Sequence, residues 1–187
     1  METTQTSEQT KSKWVIDTLH SQIGFKVKHL MFTNVRGYFR EYDSNIVTES
    51  DDFLTPEIDF WINPASISTG DAKRDEHLRN SDFFDVEKYK EINFTGNTYE
   101  KVDDNGNYLL YGDLTMKGIK KQVKLQVEFG GVIKDPWGNV KAVFNVHGKI
   151  NRKDWGVSWN AALETGGLLV SDEVEINCEV QLSKQPL

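Results

Sequence analysis

The sequence predicts a small all-β protein: a closed antiparallel barrel carrying one short helical insert. Three observations predict it. Apolar residues recur at every second position, turn motifs of hairpin length separate the alternating runs, and glycines recur inside those runs.

The alternation governs the chain from Trp14 onward, and a helical period is nearly absent. Ile23, Phe25, Val27 and His29 alternate with Gly24, Lys26 and Lys28, and Ile58, Phe60 and Ile62 with Glu57, Asp59 and Trp61. Tyr108, Leu110, Gly112, Leu114 and Met116 form a further one-sided set, followed by Val123, Leu125, Val127 and Phe129. Val140, Ala142, Phe144, Val146, Gly148 and Ile150 make the next strand. The last sets Val174, Ile176, Cys178, Val180 and Leu182 against Glu173, Glu175, Asn177, Glu179 and Gln181. Strands with one apolar and one wet face belong to antiparallel sheets, which pack on one side only.

The turns agree with this reading. Asp103-Asp104-Asn105-Gly106-Asn107, Lys117-Gly118 and Asp135-Pro136-Trp137-Gly138-Asn139 each join two alternating runs, giving a meander over residues 91–151. Gly37, Gly96, Gly112 and Gly148 lie within strand patterns, where glycine weakens a flat sheet but permits sharp bending. Strands bent in this way close on themselves, and closure removes the unpaired edges that invite aggregation.

One segment, about residues 64–90, breaks the pattern and reads as a loop and a short helix. Asp71 is the natural N-cap, because its carboxylate accepts from the free N–H groups of the first turn. Arg74, His77 and Leu78 then share a face at i, i+3, i+4 spacing. Ser81-Asp82-Phe83-Phe84-Asp85-Val86 forms a second capped turn. This insert is expected to lie across one end of the barrel.

Residues 1–13 are polar and read as a disordered tail ahead of a single domain spanning 14–187. The tail has no apolar run of the kind a secretory signal needs. A cytoplasmic location is therefore expected, or a periplasmic one for a chain whose export signal has been removed. No stretch approaches the roughly 18 apolar residues of a membrane helix, so no stable membrane insertion is expected. The formal charge of −7, with no basic run longer than Lys120-Lys121, argues against nucleic acid and against an anionic membrane surface. The single Cys178 excludes an internal disulfide.

A barrel of about eight strands is either filled by its own side chains or holds one small ligand. The inward sets mix small residues (Gly96, Gly112, Ala142, Gly148, Cys178) with large ones and carry almost no charge. Both features are compatible with a lipocalin-like lumen whose occupant is apolar, although a solid core stays open on patterning alone. His29 ends an inward set, His147 falls on an outward face and His20 reads as a turn residue. Four histidines on separate elements, with no HxxxH or HxH spacing, give no metal signal and no cofactor is implied. Asp75, Glu76 and His77 point in different directions on a helix and do not form an acid–base pair. Cys178, inward on an apolar strand, is an inert thiol. Trp14, Trp61, Trp155 and Trp159 read as core or rim packing.

Several segments together resemble the YceI-like family of bacterial polyisoprenoid-binding proteins. They are Trp14-Val15-Ile16-Asp17 with Leu19-His20-Ser21, Phe25-Lys26-Val27-Lys28-His29-Leu30-Met31 leading to Val35-Arg36-Gly37, and the run Asp71 to Asp85 containing Arg74-Asp75-Glu76-His77-Leu78 and Asp82-Phe83-Phe84-Asp85. Gly112 to Gly118, Ile150 to Gly156 and Val170 to Val174 follow in the expected order. The resemblance covers about Lys13 to Leu182, and the Asp71–Asp85 block is its most specific part. Lys90 stands where proline is common in the family, which touches only a turn.

The resemblance implies an eight-stranded lipocalin-like barrel whose pore holds an isoprenoid-like or fatty-chain lipid, in a protein that commonly forms homodimers. The expected wall is Phe25, Val27, Ile58, Phe60, Ile62, Phe94, Leu114, Met116, Leu125, Phe144, Val146 and Ile176, with Phe39 and Ile67 added to the lining. His29, Arg74 and His77 are the candidate contacts to a head group. The expected function is carriage or storage of a lipid and not catalysis. The rival readings are an enzyme acting on a lipid with His29 or His77 as base, and a solid-cored interaction module.

Overall fold

The computed structural model describes residues 10–164 and 166–186. Among the described residues eleven strands form in chain order: β1 (Lys11–Ile16), β2 (Gln22–His29), β3 (Thr33–Phe39), β4 (Tyr42–Glu49), β5 (Asp52–Ile62), β6 (Ile67–Ser68), β7 (Ile92–Lys101), β8 (Tyr108–Met116), β9 (Ile119–Lys134), β10 (Val140–Asn151) and β11 (Val170–Lys184). All of their pairings are antiparallel. The alternation therefore does what was expected of it: Val123, Leu125 and Val127 of β9 are buried while Lys124, Gln126 and Glu128 are exposed.

The ring β1-β4-β5-β7-β8-β9-β10-β11 closes through the pairing of β1 with β11, which makes an eight-stranded barrel. The other three strands lengthen its wall. β2 runs in line with β1, both lying along β11, with Trp14 opposite Lys184 and Phe25 opposite Ile176. In the same way β3 continues β4 and β6 continues β5. The line from β1 to β2 bends where the Ser21 hydroxyl accepts from the Gln181 amide at 2.9 Å in place of a ladder bond.

β1 begins at Lys11, with Ser12 buried, so the expected boundary between tail and domain at residue 13 falls inside a strand. The rest of that expected tail, residues 1–9, lies outside the described residues. The insert follows its sequence signals: a 3-10 turn at Pro64–Ser66, then α1 (Ala72–Arg79). The Asp71 carboxylate accepts from the amides of Lys73 and Arg74 at 3.0 and 3.1 Å. The end of the barrel opposite α1 is closed by aromatic packing. Phe53 lies 4.9 Å from Trp14, 5.5 Å from Phe129 and 5.1 Å from Phe144, centroid to centroid.

Candidate functional site

The barrel is not filled by its own side chains. Two apolar chambers of about 480 and 180 Å³ lie along its interior. The outer chamber is bounded by Phe25, Val27, Phe39, Leu114, Met116 and Ile176 together with α1 and the turn after it. The inner chamber is bounded by Ile58, Phe60, Phe94, Leu125, Phe144 and Val146 and ends on Phe53 and Tyr108. Ile92, Leu114 and Ile176 border both, so the chambers meet at these three side chains.

The wall places most of the expected lining. His29, Arg74 and His77 border the outer chamber, as do Asp71, Lys73 and Lys28. Ile62 and Ile67 border neither chamber. Ile62 is buried between Tyr42 and Ile92 on its neighbouring strands, and Ile67 pairs with Phe39 beneath the insert, so both belong to the core.

The strand glycines do not themselves open space in the lumen. Gly37 is covered by the ring of Phe25, Gly112 by that of Phe94 and Gly148 by Leu125, so large cross-strand neighbours take the space that side chains would occupy.

The insert shapes the mouth through local polar contacts. Thr69 donates its backbone amide, at 2.9 Å, and its hydroxyl to Oδ1 of the buried Asp75. Arg74 donates Nε to Thr69 Oγ1 and Nη2 to Thr69 O, both at 2.7 Å. His77 donates Nε2–H to Asp82 Oδ2 at 2.8 Å and stands edge-on to Phe83 and Trp159. Trp159, expected as core or rim packing, is thus a rim residue, while Trp14 and Trp155 are core.

Arg152 is a lining residue that the sequence analysis did not single out. Its buried guanidinium donates to four backbone carbonyls: Ser171 at 2.9 Å, Val157 at 2.7 Å, Trp159 at 3.0 Å and Val170 at 3.4 Å. A buried charge needs such partners, and here they fasten both ends of the segment between β10 and β11 to the barrel rim. Burial lowers its pKa, and Asp172 opposes that shift. Its sequence signal, an arginine directly after a long amphipathic strand, is too common to mark burial. Phe84, packed 5.9 Å from Phe39, was likewise read only as part of a turn. Among the described residues no cluster of three or more His, Cys, Asp or Glu side chains is placed to hold a metal ion.

Comparison with known proteins places this architecture. The profile of the YceI-like domain matches residues 14–182. A UPF0312 protein of Staphylococcus epidermidis is 35% identical over 173 residues, 92% of this chain and 98% of the relative. The crystal structure of a Campylobacter jejuni YCEI protein is 34% identical and superposes with a TM-score of 0.71, covering 91% of this chain and 96% of that one. A polyisoprenoid binding domain from Saccharophagus degradans shares the fold, at 14% identity, a TM-score of 0.63 and coverage of 92% and 98%.

Proposed function

Since the chain belongs to the YceI-like family, we propose that it holds a single apolar chain, isoprenoid or acyl, inside the barrel and carries or stores it unchanged. The observation that carries this reading is the pair of chambers meeting at Ile92, Leu114 and Ile176, the inner one without a charged side chain and the outer one bearing Lys28, Asp71, Lys73, Arg74 and Arg152. The outer chamber alone falls within the roughly 300–1,000 Å³ of typical small-molecule sites. The name of the Saccharophagus domain is consistent with an isoprenoid occupant.

The energetics favour a chain over a head group. Burying a CH₂ contributes roughly 0.8 kcal/mol, so a five-carbon isoprene unit contributes about 4 kcal/mol before association costs. Those costs are of order 4–15 kcal/mol, so a single unit does not bind usefully and a chain of several units does. Chains of similar width are then poorly discriminated. The polar groups at the mouth are largely bonded to one another, as Arg74 is to Thr69 and His77 to Asp82.

Organic extraction and native mass spectrometry of the purified full chain test this. The expected result is a co-purifying lipid, or uptake of one added in detergent, and loss of that uptake in a Leu114→Arg variant that still folds by circular dichroism. Protein that is empty as isolated and takes up no chain would sink the proposal. Catalysis by His77 would instead show as a change in the mass of the bound lipid that His77→Ala prevents.

A further inference from the structure

The β2–β3 hairpin reverses on Leu30-Met31-Phe32 beside the mouth. Leu30 and Met31 have φ of 52° and 61°, and the Phe32 amide bonds to His29 O at 3.3 Å. Positive φ at both central residues is the turn geometry that Asn-Gly adopts with least strain. Two large apolar residues hold it here instead, and the tip reaches water: Leu30, Met31 and Phe32 are 52%, 63% and 86% exposed. Exposed Leu168 extends the patch, because the Met31 sulfur lies against Gly167 and the Leu30 amide donates to Leu169 O at 2.9 Å. His29 and Leu169 also line the outer chamber, so the patch is continuous with the mouth.

Lys28, Lys73 and Arg74 line the mouth, with the buried Arg152 facing Asp172 beneath them, while Asp71 caps α1 and Asp75 and Asp82 are engaged by Thr69 and His77. Among the described residues neither the Lys28 nor the Lys73 ammonium forms an ion pair. The net charge of −7 disfavours an anionic membrane for the surface at large, but an apolar tip with the ammonium groups of Lys28 and Lys73 beside it suits one locally.

We propose that the mouth end docks reversibly on a phospholipid bilayer containing anionic lipids. The Leu30–Phe32 tip enters the acyl boundary, and Lys28 and Lys73 rest on the head groups. An apolar chain then passes between bilayer and barrel without crossing water. This goes beyond the cargo reading, and docking is measurable on empty protein.

Flotation of the full chain with vesicles of phosphatidylcholine, with and without phosphatidylglycerol, tests it. Wild type is expected to float with the anionic vesicles, and less so at high salt. The Leu30→Asn/Met31→Gly/Phe32→Ser variant keeps a favoured turn and is expected to lose about tenfold or more of the bound fraction. Trp137→Ser, at an exposed apolar site on the opposite end, is expected to float as wild type does. Wild type that never floats, or a tip variant that floats equally, overturns the proposal. So does a tip variant that changes only the oligomeric state, which would make the tip an interface between two copies. Cargo uptake from detergent is read in parallel: its retention in a non-floating tip variant supports docking. Its absence from a floating wild type counts against the cargo reading alone.

Discussion

The ring of Phe25 occupies the space in front of Gly37, its antiparallel partner across the β2–β3 ladder. The same ring borders the outer chamber and packs 5.7 Å from Phe39. The glycine therefore sets where the chamber wall stands.

A Gly37→Ala substitution should drive Phe25 off its site and destabilise the fold by about 1–3 kcal/mol, the usual range for overpacking. Adding Phe25→Leu should recover much of that loss, because the shorter side chain vacates the space the new methyl needs. Urea unfolding of both single variants and the double variant gives the coupling. Strictly additive effects would mean that the two residues do not compete for the same volume.

Acid stability should depend on Asp17, in the bend between β1 and β2. Burial by itself raises its pKa, but hydrogen bonds from Lys141 at 2.8 Å, from His20 at 2.9 Å and from the Leu19 amide outweigh it and hold the carboxyl at about 2. A folded pKa below the ordinary 3.8 stabilises the native state above that value, and the contribution is lost as pH falls from about 4 to about 2. It amounts to about 2 kcal/mol. Asp17→Asn should be less stable than wild type by that order at pH 6, and the gap should shrink toward pH 2. A gap unchanged across that range would remove the carboxylate charge as its cause.

The fold was legible because the period-2 signal is carried by whole strands: nothing in β11 competes with Val174, Ile176, Cys178, Val180 and Leu182 facing inward. The helix was legible through Asp71, whose capping is local. What the sequence did not show is set by distant partners. The in-line pairs of strands depend on the length of β11, not on any signal in β1 or β2. Arg152 is buried by carbonyls up to 19 residues away. Strand alternation says which face a residue takes but not its depth, so Ile62 looked the same as Ile58 although only Ile58 reaches a chamber.

Cys178 offers a reading of how deep the cargo goes. Its thiol borders the inner chamber, and burial pushes its pKa up to about 11 against a small opposing effect of the Gly24 amide. At pH 8 only about one thiol in a thousand is ionised, so labelling by a small maleimide should be slow in the folded protein and fast in urea. The reagent has to enter from the α1 end, since the far end is packed with Trp14, Phe53 and Phe144. A chain filling both chambers must then slow the labelling further, by about tenfold or more if the bound chain seldom leaves. A chain confined to the outer chamber obstructs the same path, so slowed labelling places the cargo between the mouth and Cys178. If empty and lipid-loaded protein label at equal rates, the thiol is reached by a route that the bound chain does not block, and entry past Ile92, Leu114 and Ile176 from the α1 end is not that route.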